Sequence, residues 1–209
     1  MGKTLLTASA LHGIIYLFVY HNVKEDKNMR ILIAYASKHG TAETCVERLM
    51  SRWNGLDVTA VNLEREQVNP AEYDVVVFGS SVYFGKLRPA ARRFLEAYES
   101  VLEQKTTALF LCCGLTAEAE YYKKKLFPAP LREAAFEVAF FGGSLATRGL
   151  SFLEKLLVRY MRSALYEESM DNGDYSAPSL PGILPENIDK LATSLRKEAA
   201  LLAKETKQG

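Results

Sequence analysis

Three short runs of this chain carry neither charge nor alternation: Ile31-Leu32-Ile33-Ala34-Tyr35, Val75-Val76-Val77-Phe78 and Ala108-Leu109-Phe110-Leu111-Cys112-Cys113. A strand that is apolar on both sides has to be covered on both sides, which is the situation of a central parallel strand. Runs at 56–63 and 136–142 read as two further strands. Helical periodicity fills the intervals at 41–53, 89–103 and 117–127, with further helical patterns at 151–165 and 186–204. This alternation predicts an α/β fold, a doubly wound parallel sheet of five strands with helices on both faces. Five such strands commonly take the order 2-1-3-4-5, with a ligand crevice beyond the carboxyl ends of strands 1 and 3. A chain of 209 residues suffices for one such domain.

The chemistry is expected where the strands end. Strand 1 runs into Ser37-Lys38-His39-Gly40-Thr41, and a helix opens directly after it with Val46, Leu49 and Met50 on one face. A helix N-terminus offers unpaired N–H groups and the positive end of its dipole, which suits a phosphate. Ser37 and Thr41 add hydroxyls, and Gly40 permits close backbone approach. His39 reads either as an anion contact or as an ordinary loop histidine. Strand 3 ends in Ser80-Ser81-Val82-Tyr83-Phe84-Gly85, where two aromatics and a glycine suit a flat ring, or alternatively staple the next helix. Strand 4 ends in Cys113-Gly114-Leu115-Thr116. Cys112 reads as core and Cys113 as bordering the ring. No GxGxxG follows strand 1, and Gly85-Lys86 is followed by Leu87 where a P-loop needs Ser or Thr. A mononucleotide with one phosphate and a large flat ring is what remains.

Bulk properties narrow the classes further. The net charge of +1 gives no argument for nucleic acid. Three cysteines, two of them adjacent, suit a reduced compartment, and the cytoplasm is the expected location. No CxxC, HExxH or Cys/His cluster points to a metal. Residues 1–28 read as an N-terminal extension, dispensable or an upstream start, with a membrane or partner tether as the alternative. Its apolar stretch at 5–20 is shorter than a bilayer span. The folded domain is expected over 29–205.

The block Ile33-Ala34-Tyr35-Ala36-Ser37-Lys38-His39-Gly40 resembles the FMN phosphate loop of the flavodoxin family. The block Val75 through Gly85, and the later Phe140-Phe141-Gly142-Gly143-Ser144-Leu145, are similar to the subgroup containing the quinone-dependent protoporphyrinogen dehydrogenases. The resemblance implies a flavodoxin-like fold and FMN as cofactor. It places FMN contacts at Ser37, Lys38, His39, Gly40, Thr41 and Ala42, at Ser80, Ser81, Val82, Tyr83, Phe84 and Gly85, and at Cys113, Gly114 and Leu115. One departure stands out: flavodoxins usually carry Thr two residues after the loop glycine, where this chain has Ala42.

Two function classes follow, an oxidoreductase with its own substrate and an electron carrier; a flavin-free binding module is a third. Electron-carrier flavodoxins are typically acidic, whereas this chain is near neutral, and its ring-facing loop holds Lys86 and Arg88 with no carboxylate. Positive charge there favours the reduced, anionic flavin, which leans toward two-electron chemistry with an organic substrate or quinone. The subgroup resemblance implies a porphyrinogen, a place in heme biosynthesis, and a redox partner protein or quinone. The pattern at 151–165 aligns Leu153, Leu156, Leu157, Tyr160 and Met161, with Lys155, Arg159 and Arg162 on another face. It reads as a sheet-packing helix or as a peripheral membrane contact. Tyr121-Tyr122-Lys123-Lys124-Lys125 reads as a solvated charge run or an extension of that basic surface. No general acid or base is assigned.

Overall fold

The computed structural model describes residues 29–143 and 182–208, apart from Asn54 and Leu115. Its sheet is built from β1 (Arg30–Ala36), β2 (Asp57–Asn62), β3 (Val75–Tyr83), β4 (Lys86–Leu87), β5 (Thr106–Cys112) and β6 (Glu137–Phe140). The helices are α1 (Thr41–Ser51), α2 (Pro89–Gln104), α3 (Ala119–Leu126), α4 (Ala129–Ala134) and α5 (Pro185–Gln208). The parallel order is β2-β1-β3-β5-β6, the predicted 2-1-3-4-5, and β4 adds a short antiparallel strand to β3. The expected readings at 1–28, at Leu115 and at 151–165 lie outside the described residues.

The unalternating strands are covered twice, as their composition requires. Ile31, Ile33 and Tyr35 of β1 face α1 and α5, whose Cys45, Val46, Leu49, Ile188, Leu191 and Leu195 are buried against them. The intervening Leu32, Ala34 and Ala36 face α2 and α4, through Ala91, Phe94, Leu95 and Leu131. β3 and β5 divide their side chains by the same parity. The two helices of the first face are also tied at their edge. Trp53 Nε1 donates to the Ala192 carbonyl at 3.2 Å, and Arg52 pairs with Asp189 at 2.7 Å.

Three boundaries differ from the sequence expectation. The third strand was expected over 74–79, ending at Gly79. Instead β3 continues through it, pairing with β5 as far as Ser81, and the residue has to be glycine because a Cβ there would lie 2.3 Å from the Phe110 ring. That ring stacks on Phe141 at 4.8 Å, so the glycine is a seat for an aromatic. The helix expected at 117–127 resolves into a single 3-10 turn, Thr116–Glu118, followed by α3. α3 ends at Phe127, whose extended backbone is the geometry forced on a residue before proline. The strand expected at 136–142 keeps ladder pairing only over β6, and Gly142 instead bridges Ile183.

Candidate functional site

β1 delivers the first loop. Ser37 is 5% exposed, and its Oγ is buried with no hydrogen-bond partner among the described residues. Its carbonyl accepts from Asn62 Nδ2 at 3.3 Å. Gly40 is the N-cap of α1 with φ 87°, a conformation that glycine adopts without strain. No side chain caps the helix, so the N–H groups of its first turn are left to an external partner. The acidic side chain of that turn, Glu43, is engaged by Arg65 at 3.2 Å. Thr41 is half-buried, and Ala42 is fully buried in the core against the sheet. Only the backbone N–H of Ala42 is therefore available to an anion, and the missing hydroxyl is a property of the sheet-facing side of α1.

β3 delivers the second loop as a hairpin. Its turn residues Phe84 and Gly85 have φ 50° and 68°, the positive pair that a primed two-residue turn requires. Phe84 is 59% exposed despite this strained backbone. Ser80 is fully buried and both its hydrogen bonds are internal: Oγ accepts from the Arg88 N–H at 3.1 Å and donates to the Ser81 carbonyl at 2.9 Å. Ser80 thus shapes the hairpin, while Ser81, Val82 and Tyr83 are half-buried along it. The Tyr83 ring meets Phe84 edge-on at 4.7 Å and His39 at 6.2 Å. Lys38 Nζ lies over the same ring at 5.9 Å and the Arg88 guanidinium at 5.6 Å. The structure therefore brings the first two loops together around one phenol.

The third loop and α3 close the other side. Cys113 is buried, and its N–H donates to the Gly142 carbonyl at 2.9 Å. A Cβ at Gly143 would come within 2.8 Å of the Cys113 carbonyl carbon, so Cys113 and Gly114 are backed directly by backbone. Tyr122 and Lys125 of α3 reach the hairpin tip: a Cβ at Gly85 would lie 3.6 Å from both Lys125 Nζ and a Tyr122 ring carbon. Burial, and then the Cys113 thiol, push the Tyr122 phenol above its ordinary value. Tyr122 was expected in a solvated charge run or an extension of the basic surface; it is half-buried, against the hairpin tip and near Cys113. Among the described residues no group of three or more His, Cys, Asp or Glu could hold a metal ion.

One charge assignment changes. Arg88 was expected to act at the ring-facing loop without a carboxylate, yet its Nε pairs with Glu64 Oε1 at 2.7 Å. Glu64 comes from the turn after β2, a segment that carried no site signal in the sequence. Among the described residues neither Lys86 on the hairpin nor Lys125 on α3 is paired with a carboxylate, so the positive charge of this rim is better assigned to them.

The family described as Flavodoxin domain matches residues 32–172. Among solved structures, a flavodoxin of Fusobacterium nucleatum bound to flavin mononucleotide is 15% identical, covering 81% of this chain and 98% of that one, with a TM-score of 0.46. A flavodoxin from the domain Archaea is 16% identical, over 67% and 98% of the two chains, with a TM-score of 0.42. The flavodiiron protein of Giardia intestinalis is 13% identical over 85% of this chain but only 44% of its own length, with a TM-score of 0.43. No curated protein matches the chain.

Proposed function

Because the chain belongs to the flavodoxin domain family over residues 32–172, we propose that it binds FMN at the carboxyl edge of its sheet and works as a redox protein. The observation that carries this reading is Ser37. A buried hydroxyl without a partner costs about 1–3 kcal/mol, and this one sits where β1 meets an uncapped helix. An FMN phosphate supplies what both features lack, an acceptor for the hydroxyl and an anion for the helix N-terminus. Ser37, Lys38, His39, Gly40, Thr41 and the Ala42 N–H would hold the phosphate. Ser81, Val82, Tyr83, Phe84 and Gly85 would border one side of the ring, and Cys113, Gly114 and Tyr122 the other; Leu115, expected beside them, lies outside the described residues. Bound FMN supplies electron or hydride transfer, while the protein supplies position and field. In this reading residues 29–205 form one FMN-binding domain.

Within that class, an oxidoreductase with an organic substrate or quinone, of the kind represented by quinone-dependent protoporphyrinogen dehydrogenase, is favoured over an acidic carrier. The supporting observation is the rim: Lys86 and Lys125 flank the hairpin, and Arg88 is already offset by Glu64. Cations beside the ring stabilise negative charge that builds on it. They also suit an anionic substrate such as a porphyrinogen. Among the described residues no helix is long and apolar enough to cross a membrane.

The purified protein should be yellow, or its apoprotein should take up FMN with quenching of the flavin fluorescence. A colourless protein that ignores added FMN would end this reading in favour of a binding module. If FMN binds, anaerobic oxidation of protoporphyrinogen with menaquinone as acceptor is the expected activity. Turnover only as a shuttle between a ferredoxin-type reductase and a second protein would make it a carrier.

A further inference from the structure

Two of the three cysteines take no part in the FMN reading, and they meet each other inside the core. Cys45 lies on α1 one turn beyond Thr41, and Cys112 is the last residue of β5. Both are free thiols, 0% and 3% exposed, in the apolar cluster between the sheet and the α1 and α5 helices. Within that cluster the two thiols share a hydrogen bond. Cys113, the next residue, belongs to the cluster on the opposite face, as alternation along a strand requires. Of the two adjacent cysteines, therefore, only Cys112 faces α1.

The hydrogen bond gives the two sulfurs different chemistry. The Cys112 thiol donates to the Cys45 sulfur, which favours the thiolate there, and Arg48 on the same helix works in the same direction. Burial, and then the bond to Cys45, keep the proton on Cys112. The thiolate is the nucleophile in thiol oxidation. Cys45 is thus the attacking sulfur, with a resolving thiol already in contact.

We propose that Cys45 and Cys112 form a redox modification site, closing under hydrogen peroxide to a disulfide that fastens α1 to β5. The Cys45 thiolate attacks one peroxide oxygen, the O–O bond breaks, and Cys45 becomes a sulfenic acid. The departing hydroxide takes the proton that Cys45 gave up and leaves as water. The Cys112 sulfur then attacks the Cys45 sulfur, the S–O bond breaks, and the Cys112 proton leaves with that oxygen as a second water. Two thiols and one peroxide give one disulfide and two waters, the sulfurs losing the two electrons that the peroxide gains. A small dithiol reverses the bond by exchange, which suits a transient disulfide in a reducing compartment. Burial sets the rate, since peroxide enters the core only through local opening; the partner in contact sets the product. The site lies within the core and does not depend on FMN.

The folded native chain is treated with hydrogen peroxide, blocked with iodoacetamide in denaturant and digested without reduction. Mass spectrometry should find the peptide of Cys45 bridged to that of Cys112, and dithiothreitol given after the peroxide should return both thiols. Fragment spectra of the bridged peptide should place the bond on Cys112 and not on the adjacent Cys113. Cys113→Ala should keep the bridge. Cys112→Ser keeps a donor but cannot resolve, so its Cys45 should stop at a sulfenic acid that dimedone labels once the chain is unfolded. A native chain whose Cys45 stays a free thiol at peroxide exposures that fully oxidise glutathione overturns the proposal. So does a bridge that uses Cys113, that joins two chains, or that forms only after circular dichroism shows the fold lost. Each of these outcomes is read on the native chain, so none requires a variant to fold.

Discussion

Replacing Ser37 with alanine should stabilise the apoprotein and weaken FMN binding, two effects of opposite sign from one oxygen atom. In the apoprotein Ser37 Oγ is buried and unpartnered, so its removal relieves a desolvation cost of about 1–3 kcal/mol. Taking the low end, because a small shift of the loop admits water, the gain is about 1 kcal/mol. For a chain of this length that is a rise in Tm of roughly 2–4 °C. With FMN bound, the same oxygen would donate to a charged phosphate, a bond worth about 1.5–3 kcal/mol. Its loss raises Kd by about 10- to 150-fold. Differential scanning calorimetry of the apoprotein and isothermal titration with FMN read the two numbers. Thr107→Val is the matched control, since Thr107 is equally buried but its hydroxyl donates to the Leu102 carbonyl at 2.7 Å. That variant should lose about 1 kcal/mol and leave FMN affinity alone. A Ser37→Ala apoprotein less stable than the parent, or with FMN affinity within two-fold of it, would refute the reasoning.

Other perturbations should separate scaffold from site. Gly79→Ala would drive a methyl to within 2.3 Å of the buried Phe110 ring, so urea unfolding should show a loss of about 1–3 kcal/mol; no loss would mean that Phe110 repacks freely. Phe84→Asn places the residue preferred in a primed turn at φ 50° and removes an exposed ring. The apoprotein should gain about 1 kcal/mol while FMN binding weakens through lost stacking, and a destabilised apoprotein would show that the ring already packs productively. Burial, reinforced by the hydrogen-bonded Cys45 thiol, pushes the Cys112 thiol well up. The unfolded chain therefore loses this proton first as pH climbs past about 8.5. Stability is full below that value and should decline above it, a trend that Cys112→Ala should flatten in a pH series of denaturation midpoints.

What the sequence conveyed well was whatever repeats locally. The uncharged runs of β1, β3 and β5 announce burial on both faces, and the order of the sheet follows from their alternation with helices. The Ser37–Gly40 loop was equally legible, because a hydroxyl, a glycine and a helix start are adjacent in the chain. Features made by residues far apart in the chain were not legible. Glu64 and Arg88 show no common pattern, so the hairpin looked wholly basic until the turn after β2 supplied its carboxylate. Tyr122 sits in a run of lysines that reads as solvated surface, and only the approach of Gly85 brings its ring to the crevice. The third strand was read as ending at Gly79, because the Phe110 ring that fills the place of its side chain comes from a distant part of the chain.

The glycines after β6 have a consequence for how this fold can change. The Gly143 N–H donates to the Gly182 carbonyl at 3.1 Å, and the Leu184 N–H donates back to the Phe141 carbonyl at 2.8 Å. Gly142 leaves no room for a Cβ, which would meet the same Gly182 carbonyl at 2.3 Å. The chain that departs after Gly143 thus comes back to its point of departure before α5 begins, like a side road rejoining at its own junction. Closure costs grow only logarithmically with loop length, so what lies between those two points can be lengthened, shortened or exchanged with little strain on the sheet. The junction stands at the carboxyl edge of the sheet, where Gly143 lies against the Cys113 backbone. A change of length or sequence between Gly143 and Gly182 is therefore taken up at that one junction, and β1, β3 and their loops keep their places.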